Sequence, residues 1–71
     1  MNNKNIRLRT LRASYDLTQE EFAERAGVSR AVYSMVECGM RKGKAEFWAA
    51  IQRAYSIPSA EMWALINNET R

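Results

Sequence analysis

The sequence predicts an all-α domain of five short helices. Apolar residues recur at helical spacing, capping residues and glycines punctuate the chain at regular intervals, and no stretch alternates with the two-residue period of a strand. Its 71 residues leave room for one domain, 1–71, with an ordered core expected at about 4–67. A chain of this size buries only about 60% of the surface its unfolded form exposes, so a bound partner adds materially to its stability.

The first helix is expected over about Lys4 to Ser14, where Leu8, Leu11 and Tyr15 stand at i, i+3 and i+7. Thr18-Gln19-Glu20-Glu21 then forms a capping box, in which Thr18 accepts the N–H three residues on and Glu21 reaches back. Glu20 and Glu21 also suit the positive end of the helix dipole. Helix two should close near Ala26, because Gly27 can take the left-handed conformation that turns the chain.

After Val28, Ser29 caps a third helix, Arg30 to Cys38, closed by Gly39. The basic link Arg41-Lys42-Gly43-Lys44 leads into a fourth, Ala45 to Tyr55, with Trp48, Ile51 and Tyr55 as its buried stripe. Pro58 and Ser59 announce a fifth, roughly Ser59 to Asn67, with Met62, Trp63 and Ile66 expected on one side. The tail Asn68 to Arg71 is expected to be loose.

Composition narrows function by subtraction. There is no histidine and Cys38 is the only cysteine, which removes imidazole and cysteine-rich metal sites, His-based nucleophilic machinery and intrachain disulfides together. No metal, no cofactor and no enzymatic activity are therefore expected. The longest apolar runs, Phe47 to Ile51 and Met62 to Ile66, are five residues each, against the roughly 20 that a membrane span needs. Polar sequence follows Met1 to Lys4 where a secretory signal would place its apolar region, so no membrane association and a cytoplasmic location are expected.

The formal charge of +3 is unevenly spread: +4 over residues 1–12, −3 over 13–29, +3 over 30–53 and −1 over the remainder. Such scatter suits a solvated surface as well as a binding face, and placement on the fold decides between them. The stretch from Leu17 to Arg30 is the informative one. Small Ala23 lets a second helix approach closely, Gly27 makes the corner, and Val28 with Val36 anchors the following helix from beneath. Helices two and three thereby make a helix-turn-helix. In such a unit the second helix protrudes and is about as wide as the major groove of DNA, while the first points backbone N–H groups at a phosphate.

Four stretches together resemble the phage Cro and CI repressor, or XRE, family: Leu-Arg-x-Leu-Arg (8–12), Leu-Thr-Gln-Glu-Glu-Phe-Ala (17–23), Gly-Val-Ser-Arg (27–30) and Glu-x-Gly-x-Arg (37–41). The resemblance covers about Leu8 to Trp63. It implies a five-helix lambda-repressor-like domain that binds a double-stranded DNA operator as a homodimer and regulates transcription, most simply as a repressor. A bacterial or phage-encoded protein, nucleoid-associated when bound, is implied with it. Gln19 matches the family's phosphate-binding glutamine. The base-reading positions fall on Ser29, Arg30, Ala31, Ser34 and Met35. Arg41 matches a basic residue that contacts the DNA backbone, with Lys42 and Lys44 close enough to assist. Arg12 and Glu37 match an Arg and Glu that pair between helices one and three, a structural ion pair. The chain departs from the family at Cys38, Met40 and Gly43, and at Tyr33, whose hydroxyl needs a partner if that position is core.

Several of these positions have a second reading. Arg30 can contact guanine in bidentate fashion or meet phosphate only. Ala31 and Met35 can touch thymine methyl groups, and Met35 can equally be packing filler. Ser29 is first a cap and only then a DNA contact. Cys38 is an inert small residue or a redox switch. Trp63 and Ile66, with Phe47, are candidates for a dimer interface. The rival function keeps the fold but makes the chain an antitoxin or accessory subunit that docks a protein partner through its C-terminal face, with or without DNA binding.

Overall fold

The computed structural model describes residues 4–67, and within them the chain forms five helices in the expected order. They are α1 (Ile6–Ser14), α2 (Gln19–Ala26), α3 (Arg30–Glu37), α4 (Ala45–Tyr55) and α5 (Ser59–Asn67). No strand occurs among the described residues. The expected loose tail, Asn68 to Arg71, lies outside them.

The start and stop signals act as the local chemistry requires. Thr18 Oγ1 accepts from Glu21 N at 3.1 Å while Glu21 Oε1 accepts from Thr18 N at 2.9 Å, which completes the capping box. Gly27 takes φ 73° and closes α2. Ser29 caps α3 through its hydroxyl oxygen, which accepts from Val32 N at 3.3 Å. Helix α3 ends one residue earlier than expected, with Cys38 as its cap.

Helix α1 also starts later than expected, because Asn5 caps it. Its side-chain oxygen accepts from Leu8 N at 2.9 Å. Asn5 is buried, its Nδ2 donates to Leu65 O at 2.9 Å, and its backbone N–H donates to Glu37 O at 2.8 Å. One asparagine therefore joins the start of α1 to the ends of α3 and α5.

The core is aromatic at its centre. Phe22 stacks on Tyr55 with ring centroids 4.2 Å apart and planes 6° from parallel, and it meets Tyr33 at 5.1 Å. Tyr55 needs a partner for its hydroxyl and donates to Phe22 O at 2.9 Å. Leu8, Val36, Phe47, Trp48, Ile51, Ile57, Met62 and Leu65 surround these rings. The α4 stripe of Trp48, Ile51 and Tyr55 is buried as expected.

Two expectations are corrected. Tyr15, placed on the apolar stripe of α1, is 43% exposed and only rests its ring against Tyr55. On α5 the buried pair is Met62 and Leu65, whereas Trp63 and Ile66 face outward. Met62 and Leu65 are three apart, and Trp63 and Ile66 both lie on the side of Met62 away from Leu65.

Gly43 has φ 82°, and a Cβ there would lie 2.8 Å from Trp48 Nε1 and 3.1 Å from the Phe47 ring. Gly27 has similar φ but nothing within 4 Å of a would-be Cβ. Gly27→Ala should therefore cost only the left-handed strain of about 1–2 kcal/mol. Gly43→Ala adds overpacking of about 1–3 kcal/mol. Urea titration of both variants checks this, and equal midpoints would contradict the packing argument.

Candidate nucleic-acid interface

Helices α2 and α3 pack against each other, Ala23 is buried, and Val28 N donates to Ala23 O at 3.0 Å. Tyr33, Val36 and Glu37 are the buried positions of α3. By helical geometry Ala31, Ser34 and Met35 fall on the other side. Arg30 and Ala31 are exposed, and Ser34 and Met35 are half-buried. The sequence-derived reading face is thus on the outside of the domain.

The segment after α3 is held to it by backbone hydrogen bonds. Met40 N and Arg41 N both donate to Met35 O, at 2.8 and 3.2 Å. Arg41, Lys42 and Lys44 are exposed, and together with Ser29, Val32 and Phe47 they line one open groove of about 630 Å³. Four of the sequence-derived positions, Ser29, Arg41, Lys42 and Lys44, therefore share one surface next to the start of α3. Trp48 Nε1 donates to Lys42 O at 2.9 Å and fixes the backbone of this basic link on the core.

Beneath α3 lies a network that the sequence revealed only in part. Glu37, 6% exposed, receives Arg12 Nε on Oε2 at 2.8 Å and Arg12 Nη2 on Oε1 at 3.2 Å, the expected ion pair. Tyr33 Oη donates to Oε2 at 2.6 Å, which gives the buried hydroxyl its partner. Gln19 Nε2 donates to Oε1 at 2.7 Å. Arg12 Nη1 reaches Leu17 O at 2.8 Å, so the network also holds the chain entering α2. The spacing of Tyr33 and Glu37, i and i+4 on a helix, could have found the bond between them; nothing local pointed from Gln19 to Glu37.

The network sets the protonation of its members. Burial pushes the Glu37 carboxyl upward, but the hydrogen bonds from Arg12, Tyr33 and Gln19 outweigh it and hold the group below its usual range. The hydrogen bond to Glu37 raises Arg12, and burial with the same carboxylate raises Tyr33. The acid is therefore ionised and the phenol neutral at neutral pH.

Other candidates fall as follows. Trp63 and Ile66 are exposed, at 61% and 46%. Phe47, grouped with them as an interface residue, is instead buried, because its ring packs edge-on against Trp48 at 5.0 Å. Cys38 is exposed with its thiol 3.6 Å from Met35 O. Among the described residues no group of acidic, histidine or cysteine side chains could hold a metal ion, and no helix is long and apolar enough to cross a membrane.

A tight helix-turn-helix with an outward second helix beside a basic link defines a class of DNA-binding domain. The family model described as a helix-turn-helix domain matches residues 6–65, and the chain belongs to that family. No curated protein and no solved structure matched the chain.

Removing one member of the shielded pair leaves the other charge uncompensated, so Arg12→Ala should lower stability by about 3 kcal/mol. The pH dependence has a defined sign. The Glu37 carboxyl sits below its ordinary value of 4.5 in the folded protein, so its contribution is whole above that pH and is lost as pH falls through the folded-state value. Glu37→Gln should lower the urea midpoint at neutral pH and make its fall below that value shallower than in the wild type. Parallel acid limbs in the two proteins would contradict the assignment.

Proposed function

We propose that the protein is a sequence-specific transcription regulator, most simply a repressor, that occupies a near-palindromic duplex operator as a homodimer. The observation that carries this is the junction of the outward α3 face with the groove lined by Ser29, Arg41, Lys42 and Lys44. It supplies a helix of groove width and, beside it, cations at the level of the DNA backbone.

Roles divide by chemistry. Arg41, Lys42 and Lys44 neutralise phosphates and give affinity without sequence information. Arg30 reads a base or a phosphate near the start of α3, and Ala31, Ser34 and Met35 read groove edges and methyl groups. Gln19 meets a phosphate at the start of α2, where the N–H groups of Gln19 and Glu20 have no acceptor within the helix. Glu20 and Glu21 add negative charge there, so this contact depends on hydrogen-bond geometry more than on net charge.

One copy makes few contacts, and the two half-sites of such an operator lie about 34 Å apart, one turn of the duplex. The domain spans 29 × 25 × 24 Å between Cα extremes, so two copies side by side reach adjacent half-sites on one face of the duplex. The exposed Trp63 and Ile66 suit the contact between copies. The same exposure favours a second reading, an antitoxin or accessory subunit whose C-terminal face docks another protein.

Selection of bound duplexes from a random pool, followed by salt titration, tests the reading. The winners should contain inverted repeats. Arg30→Ala should relax preference at one position by about 1–3 kcal/mol if it contacts a base. Lys42→Ala should weaken all duplexes alike and reduce the slope of log K against log salt by about 1. A chain that retains no duplex at low ionic strength would falsify the proposal. Sedimentation equilibrium of Trp63→Ser decides the C-terminal face: a monomer supports dimerisation there, and an unchanged dimer moves the interface elsewhere.

A further inference from the structure

Gln19 occupies the first position of α2, yet its side chain is half-buried and turned toward the far end of α3. Its Nε2 donates to Glu37 Oε1 at 2.7 Å. A carboxamide carries two N–H groups and one acceptor oxygen. With one N–H committed to Glu37, the swing of the carboxamide is restricted, and the second N–H and the oxygen remain to meet a ligand. The acceptor is itself held. Glu37 takes Tyr33 Oη at 2.6 Å and Arg12 Nε at 2.8 Å on its other oxygen. Tyr33 is 0% exposed and cannot touch a duplex, and its ring is wedged between Phe22 and Phe47.

We infer that Tyr33 and Glu37 are positioning residues for DNA binding, acting through Gln19: the hydroxyl orients the carboxylate, and the carboxylate orients the carboxamide at the entry of α2. The inference rests on the functional reading above. The first turn of α2 then meets a phosphate as a preformed donor set, and the ordering of a long flexible side chain is completed in folding instead of at binding. A role confined to the angle of α3 would be different in kind, because it would weaken every contact made by that helix and would not pass through Gln19.

Tyr33→Phe removes one hydroxyl and leaves the stacked ring. Affinity for the selected duplex is measured by fluorescence anisotropy for the wild type, Tyr33→Phe, Gln19→Ala and the double variant, each confirmed folded by circular dichroism. Tyr33→Phe should bind about three- to tenfold more weakly, the worth of one hydrogen bond. The double variant should bind no more weakly than Gln19→Ala alone. Glu37→Asp, which retracts the carboxylate by one methylene, should show the same dependence on Gln19.

A duplex series with one phosphate at a time replaced by an uncharged methylphosphonate supplies a readout that a merely structural role would not move. The position that weakens the wild type but not Gln19→Ala marks the Gln19 phosphate, and Tyr33→Phe should lose sensitivity there and nowhere else. Additive losses in the double variant, or full affinity in Tyr33→Phe, overturn the inference while leaving DNA binding intact. A wild-type chain that binds no duplex overturns the functional reading and this inference with it.

Discussion

A carboxylate withdrawn from water has to be surrounded by donors, and the donors that Glu37 collects come from three different helices. Arg12 arrives from α1, Gln19 from the entry of α2, and Tyr33 from the preceding turn of α3. Apolar packing is close to non-directional and tolerates small rotations of one helix on another. Hydrogen bonds to a single carboxylate do not, since each loses strength steeply with angle. The last turn of α3 is thus held to α1 and α2 by a polar constraint laid over the aromatic core of Phe22, Tyr33 and Tyr55. A buried ion pair of this kind is a poor source of net stability.

Asn5 repeats the logic on the other side. It joins α1 to the carbonyl of Glu37 and to α5, so both ends of the Glu37 residue are tied, the side chain to α1 and α2 and the backbone to the cap of α1. The basic link is fixed more simply, by Met35 O at its start and by the indole of Trp48 at Lys42. Close approach of Phe47 and Trp48 to Gly43 completes that anchorage, which explains why a glycine stands where the backbone passes over the two rings.

What the sequence disclosed follows the range of the interactions involved. The capping box at Thr18, the turn at Gly27 and the cap at Ser29 are decided within four residues, and all three stand as expected. The need of Tyr33 for a partner was legible from its chemistry. The Arg12 and Glu37 pair, 25 residues apart, was legible only through family resemblance. The bond from Gln19 to Glu37 crosses 18 residues and had no signal, because a glutamine at a first helical turn ordinarily points to water. On α5, Met62, Trp63, Leu65 and Ile66 spread over an arc of about 160°, wider than the stripe that is buried, so periodicity alone could not choose the buried side. Phe47 and Trp48 are adjacent and both bulky, and the buried position of Phe47 depends on Gly43 admitting its ring.

The division between the two surfaces of α3 has a further consequence. Tyr33 and Glu37 are inside, so the outward positions Ala31, Ser34 and Met35 carry no bond in the Glu37 network and can change without loosening it. Ser29 both caps α3 and lines the groove beside it. Its oxygen accepts from Val32 N at 3.3 Å, which uses a lone pair, whereas a hydroxyl also has a proton to donate. Capping and donation to an anion are therefore compatible in the same rotamer, and an anion that takes that proton draws electron density toward the acceptor side of the same oxygen. The two bonds then strengthen each other, as hydrogen bonds in chains do. Because Ser29 also borders the groove of Arg41, Lys42 and Lys44, a substitution there removes the cap of α3 and changes the lining of that groove together.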